Sequence, residues 1–174
     1  LILPLLGHLM TTQQKPPPVP EAASAVICSG FHNNSYPLTL PPSHPITMAN
    51  QIIFTDQAPA PIGPYSQGVR AGNTVYVSGQ IPLDASGQMI GAGDVAAQTQ
   101  QVLKNLTAVL AAAGLSLTDV VKCSIFVRDL NNFGTINQVY GSYFGEATAP
   151  ARETVEVSRL PRDVEVEISC IAVG

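Results

Sequence analysis

The run Val164–Val173 restricts the fold more than any other segment. As an extended strand it places Val164, Val166, Ile168, Cys170 and Ala172 on one face and Glu165, Glu167, Ser169, Ile171 and Val173 on the other. The first face is wholly apolar and the second is half apolar, so a sheet containing this strand needs cover on both sides. Only two helical patterns occur in the chain, enough for one side. The second face is therefore expected to be buried against another copy of the chain.

The other elements follow from changes in hydrophobic period. Ile52–Phe54 reads as a short strand, and Val69-Arg70-Ala71-Gly72-Asn73-Thr74-Val75-Tyr76-Val77 as strand, Gly-Asn turn, strand. Asp94 is the expected N-cap of a helix through Ala113. Its apolar positions Val102, Leu106, Val109 and Ala113 recur at helical spacing, and Gly114 supplies the stop. Val121, Cys123, Ile125 and Val127 alternate as a strand. Phe133, Ile136, Tyr140 and Tyr143 form one stripe of a second helix. Thr154–Val157 and Val164–Val173 complete the order strands, helix, strand, helix, strands. No stretch approaches the roughly twenty apolar residues of a membrane-spanning helix.

Residues 1–47 differ in kind. They hold nine of the fifteen prolines, one Lys, one Glu and no Arg, and no amphipathic period. This is the composition of a disordered extension, set apart from a domain over residues 48–174. The apolar run Leu1–Met10 before Ala23-Ser24-Ala25 raises a secretory reading, but Pro4 and Gly7 interrupt it and no basic region precedes it. Lack of Arg argues against an organellar transit peptide. Met48 is the expected natural start, and the expected location is cytoplasmic.

Charge and residue inventory exclude several chemistries. With a net charge of −4 and eight scattered basic residues, the chain offers no basic patch for a nucleic-acid backbone. Cys28, Cys123 and Cys170 cannot all pair with one another and lack metal-ligand spacing, so reduced thiols and no structural metal site are expected. All three histidines (His8, His32, His44) precede Met48, so chemistry in residues 48–174 must run without imidazole. No dinucleotide or phosphate loop is present; Gly91-Ala92-Gly93 lacks the third glycine and the preceding strand.

Five places could carry chemistry. Ile62-Gly63-Pro64-Tyr65 sets a Gly-Pro turn before a phenol, and Val77-Ser78-Gly79-Gln80 ends a strand with small residues; each also fits an ordinary turn or a half-buried ring. Arg152 follows Pro150 into a strand, where its fork can grip a carboxylate, remain solvated, or pair with Glu153 or Glu156. Glu167 sits mid-strand between Val166 and Ile168. A carboxylate there must be paired, open to a cavity, or working, and its pKa direction depends on neighbours that spacing does not reveal. Asn137 is a polar position of the second helix that could be merely exposed.

Taken together, these blocks resemble the reactive intermediate deaminase (RidA, or YjgF) family along essentially all of residues 48–174. The matching stretches include Ala60-Pro61-Ile62-Gly63-Pro64-Tyr65-Ser66-Gln67, Val77-Ser78-Gly79-Gln80-Ile81-Pro82, Ala112-Ala113-Gly114-Leu115, Phe126-Val127-Arg128-Asp129-Leu130-Asn131-Asn132-Phe133, Pro150-Ala151-Arg152 and Glu165-Val166-Glu167-Ile168. The resemblance implies an α+β, chorismate-mutase-like mixed sheet with two helices on one face, assembled as a homotrimer with sites between subunits. It also implies hydrolysis of 2-iminobutanoate and 2-iminopropanoate to 2-keto acids and ammonia, without cofactor. By the same resemblance Arg152 holds the substrate carboxylate, Glu167 activates water, and Tyr65, Gly79 and Asn137 line the pocket. Many bacterial members have Cys where Thr154 stands here, which puts only thiol-based regulation in doubt. The alternatives are a non-catalytic binder of small carboxylates on the same scaffold and, less compatible with the acidic, histidine-free domain, an RNA-cleaving protein.

Overall fold

The computed structural model describes residues 50–174; the expected boundary at Met48 and the character assigned to residues 1–47 lie outside them. A six-stranded mixed sheet is formed by β1 (Gln51–Ile53), β2 (Gly68–Ala71), β3 (Thr74–Gln80), β4 (Val120–Val127), β5 (Ala151–Glu156) and β6 (Val166–Val173), in the order β1-β2-β3-β6-β4-β5. Only the β4–β5 pair is parallel. The connection between those two strands carries helix α2 (Phe133–Tyr143), as a parallel crossover requires. Helix α1 (Val95–Ala112) joins β3 to β4.

Local chemistry sets the ends of these elements. Asp94 caps α1, its Oδ1 accepting from the backbone N–H of Ala96 at 3.0 Å and of Ala97 at 3.1 Å. At the other end Gly114, at φ 72°, turns the chain left-handed. The Gly114 N–H then reaches Ala111 O and the Leu115 N–H reaches Leu110 O, both at 2.9 Å, which satisfies two of the last carbonyls. The Arg70 guanidinium, from β2, donates to the Ala113 carbonyl and places positive charge at the negative end of the helix dipole.

The core lies between the sheet and the helices. Val102, Leu103, Leu106, Val109 and Leu110 of α1 are fully buried, as are Val75, Cys123, Val127, Val166, Ile168 and Ala172 of the strands. The expected stripe of α2 divides: Ile136 and Tyr140 are buried, whereas Phe133 is 40 % exposed and turns away from the core. Three buried amides, unmarked by periodicity, fix the loops. Gln67 binds the backbone of Thr55, Ala58 and Pro59; Asn105 donates to Ile81 O and Leu83 O; Gln98 accepts from the Glu165 N–H at 2.8 Å. Each replaces the water that a buried backbone group would otherwise lose.

Register settles the two faces of the sheet. Cα partners across a ladder point to the same side. The buried Cys123, Ile125 and Val127 of β4 therefore share the helix side with Val166, Ile168 and Cys170 of β6. The other side carries Tyr76, Phe126, Val155, Ile171 and Val173; Tyr76 is 50 % and Val155 41 % exposed. No helix of the described residues covers this side, and none is long and apolar enough to cross a membrane. The free thiols Cys123 and Cys170 face each other directly across β4 and β6, and burial pushes both thiol pKa values up, Cys170 to about 12.

Candidate functional site, divided between the two faces of the sheet

The first group of site residues is organised by a bulge. Val77 pairs with Cys170 and Gln80 with Ile168, so Ser78 and Gly79 together oppose Ser169 alone. The extra residue bends β3 where Glu167 of β6 projects from the helix-free side. The Ser78 N–H donates to Gln67 O at 3.0 Å and its hydroxyl to Ser66 O at 2.7 Å, which fastens the loop carrying Tyr65 beside the bulge. Ile62, Tyr65, Ser78, Gly79, Ile81, Pro161 and Glu167 line a cleft of about 380 Å³.

Gly79 is required there by close approach. A Cβ at this position would stand 1.9 Å from Glu167 Oε1 and 2.8 Å from its carboxyl carbon. Gly79→Ala is therefore expected to displace the carboxylate and leave the fold intact, since the clash is with the free end of a side chain. If Glu167 has the water-activating role that the resemblance implies, kinetics on the purified variant should show kcat reduced about 10–100-fold, the order expected when a catalytic group is misplaced by an ångström; near-normal turnover would show that the carboxylate's seat is unimportant.

Glu167 is half-buried and has no hydrogen-bond donor or cation beside it among the described residues. Burial alone raises its pKa above the ordinary carboxylate value. This answers the sense of the shift that spacing left open, at least within one chain.

The second group lies on α2 and the edge strand β5. Arg152 sits inside β5, not ahead of it as the sequence reading placed the strand, and pairs with Cys123 of β4. It consequently points to the helix side. Its Nη1 donates to Asn137 Oδ1 at 2.8 Å, and its guanidinium carbon lies over the rings of Tyr140, 4.9 Å from the centroid, and Phe133, at 5.7 Å. The carboxylates considered as its partners are engaged elsewhere. Glu153 faces the other side, bound to Lys122 and the Ser124 hydroxyl, and Glu156 accepts from the Leu130 N–H at 2.9 Å. Among the described residues Arg152 has no carboxylate within ion-pair distance, although it borders an open cleft of about 390 Å³ lined also by Asn137, Tyr140, Phe144 and Glu146.

The sequence-derived site residues thus fall into two sets. Tyr65, Gly79 and Glu167 meet on the helix-free side; Arg152 and Asn137 meet on the helix side. Glu167 pairs with Phe126 and Arg152 with Cys123, three residues apart on β4 and of opposite parity. The two are separated by the thickness of the sheet and by roughly 10 Å along the strands. One chain does not bring them to a common substrate. Phe133 and Tyr140 as neighbours of Arg152, and Pro161 as a neighbour of Glu167, went unnoticed in the sequence. The available signal was the i, i+4, i+7 spacing of Phe133, Asn137 and Tyr140.

Comparison with known proteins agrees with this architecture. The family model described as Endoribonuclease L-PSP matches residues 55–174. The 2-iminobutanoate/2-iminopropanoate deaminase of Escherichia coli (strain K12) is 52 % identical over 126 residues, 71 % of this chain and 98 % of that protein. The RutC family protein PH0854 of Pyrococcus horikoshii is 53 % identical over 122 residues, 70 % of this chain and 96 % of its own length. Among solved structures, E. coli TdcF with bound serine superposes with a TM-score of 0.68 at 48 % identity, covering 71 % of this chain and 98 % of that one. By its six-stranded mixed sheet, its two helices and these matches, the chain belongs to the RidA/YjgF family.

Proposed function

We propose that this protein is a hydrolytic deaminase of small 2-imino acids, 2-iminobutanoate and 2-iminopropanoate among them, acting as a homotrimer whose sites form between subunits. The observation that carries this reading is a complementary pair of half-sites on opposite sides of one sheet: among the described residues, an Arg with no carboxylate partner and a half-buried Glu with no cation. A second copy docked on the apolar helix-free face would bring one chain's Glu167 to the other's Arg152. It would also cover Tyr76, Val155 and Val173.

The chemistry follows from the two groups. The Arg152 fork holds the substrate carboxylate with two parallel hydrogen bonds and so fixes the imine carbon near the Glu167 carboxylate. Glu167 accepts a proton from water as the oxygen adds to the iminium carbon. The resulting tetrahedral carbon bears hydroxyl and amino groups. Glu167 then passes the proton to nitrogen, ammonia leaves as the hydroxyl oxygen forms the C=O bond, and the hydroxyl proton passes to the Glu167 carboxylate, from which it is released to solvent. Burial, by raising the carboxylate's pKa, makes it a stronger base; a neighbour's guanidinium pulls it back toward ionisation at neutral pH. The Tyr65 hydroxyl, at the mouth of the same cleft, is a donor for the substrate or the water.

The test couples an amino-acid dehydratase to 2-keto acid release, with and without this protein. Acceleration by wild type and its loss in Arg152→Ala are expected; unaltered rates in both comparisons refute the reading. A carboxylate-binding role without turnover is the second reading. It is favoured by the Arg152 half-site being complete without Glu167 and by the serine bound to the similar TdcF. It predicts ligand binding that survives Glu167→Ala and no turnover in wild type.

A further inference from the structure

We propose that Phe133 and Tyr140 are positioning residues for Arg152: two aromatic faces that, with Asn137, hold the guanidinium as a preformed carboxylate receptor. The inference rests on Arg152 binding the carboxylate in the reading above. It adds that the receptor is built by one stripe of α2.

Arg152 stands on β5, the edge strand, and among the described residues no charged partner restrains it. A free Arg side chain samples many rotamers, and a small ligand would have to overcome that entropy on binding. Here Asn137 accepts from Nη1 alone, which fixes one edge of the fork and leaves its remaining N–H groups without side-chain acceptors among the described residues. The rings act on the flat faces, with centroids 4.9 Å (Tyr140) and 5.7 Å (Phe133) from the guanidinium carbon, inside the range in which a ring quadrupole attracts a cation. A guanidinium held by faces and one edge presents its other edge to solvent, the geometry a carboxylate needs.

Exposure supports the same division of labour. Phe133 opens α2 at 40 % exposure, where a core role would have buried it, and its position places a ring by Arg152. Tyr140 is 4 % exposed and stacks on Phe144 at 4.5 Å; among the described residues its buried hydroxyl makes no full hydrogen bond and has only the Cys123 thiol beside it. The face of Tyr140 therefore serves Arg152, while its hydroxyl meets only a thiol, a weak hydrogen-bonding partner whose loss in Tyr140→Phe leaves the ring in place.

The experiment is calorimetric titration of the full chain with 2-oxobutanoate, the keto-acid product, which reports dissociation constant and active fraction separately. Phe133→Leu, exposed enough to fold normally, is expected to weaken binding about three- to tenfold with the active fraction unchanged. Tyr140→Leu should do the same or more, and Tyr140→Phe should bind within about twofold of wild type, because the ring is what matters. In turnover the Leu variants should raise KM with a smaller change in kcat. Wild-type affinity in Phe133→Leu, equal losses in Tyr140→Phe and Tyr140→Leu, or no binding of 2-oxobutanoate by wild type each overturns the inference. The catalytic reading fails separately: absence of imine hydrolysis by wild type with ring-dependent binding intact removes the deaminase and leaves the receptor.

Discussion

Glu167→Gln is expected to lower kcat/KM for 2-imino acids by about 10²–10⁴, the range a positioned general base contributes. The amide keeps the size and hydrogen-bonding reach of the side chain but cannot take a proton, so KM should move little. The same change should raise thermal stability at neutral pH. Burial raises the folded-state pKa of Glu167, so the neutral form is the one the fold prefers. Its contribution to stability is intact below the unfolded carboxylate value and is lost as pH rises through the elevated folded value. Gln has no such dependence. The melting temperatures of variant and wild type should therefore converge under acid conditions and separate, with the variant higher, as pH rises to neutrality. A variant melting lower at neutral pH would show that a neighbouring guanidinium outweighs the desolvation of the carboxylate. A variant with wild-type turnover would remove Glu167 from the mechanism altogether.

Mixing two inactive variants should restore activity. Arg152 and Glu167 point to opposite sides of the sheet within one chain. If subunits share a site, the guanidinium comes from one copy and the carboxylate from the next. Arg152→Ala homotrimers contain only sites lacking the guanidinium, and Glu167→Ala homotrimers only sites lacking the carboxylate, so each alone should be lower by about 10³ or more. After joint unfolding and refolding of equal amounts, each site has one chance in two of receiving an intact Arg152 and one in two of receiving an intact Glu167. Random assembly in a closed ring then gives about a quarter of wild-type turnover per site. Activity that stays at the level of the separate variants, with heterotrimers shown by native mass spectrometry, would rule out a site shared in this way. The size of the expected recovery makes this the more decisive of the two experiments.

A site shared as proposed would also explain why an acidic chain can retain a half-buried carboxylate that has no cation beside it among the described residues. A lone Glu in a cleft costs stability in one chain, and charge supplied by another copy would offset part of that cost. The bulge at Ser78-Gly79 serves the same end: it removes a Cβ so that the carboxylate can lie against backbone. Strain accompanies the loop that passes this cleft, since Arg162 and Asp163 both take φ 57°, a left-handed conformation unusual for residues with a Cβ. The Arg159 guanidinium holds Asp163 with two hydrogen bonds, at 2.7 and 3.1 Å, and so fixes the turn that carries Pro161 to the cleft wall.

What residue order determined by itself was local: the Asp94 cap and Gly114 stop of α1, the Gly72-Asn73 hairpin, and the parity of β6 that placed Glu167 opposite Val166 and Ile168. These depend on neighbours within a few positions, where sterics and period leave little choice. Tertiary structure alone decided that β6 inserts between β3 and β4, that β5 begins at Ala151 and turns Arg152 to the helix side, and that Phe133 leaves the core to meet it. Strand order and register arise from contacts between residues far apart in the chain, so no local pattern encodes which face an edge-strand side chain takes. For that reason the two charged residues could be picked out from their types and surroundings, while their separation by the sheet became visible only once the strands were paired.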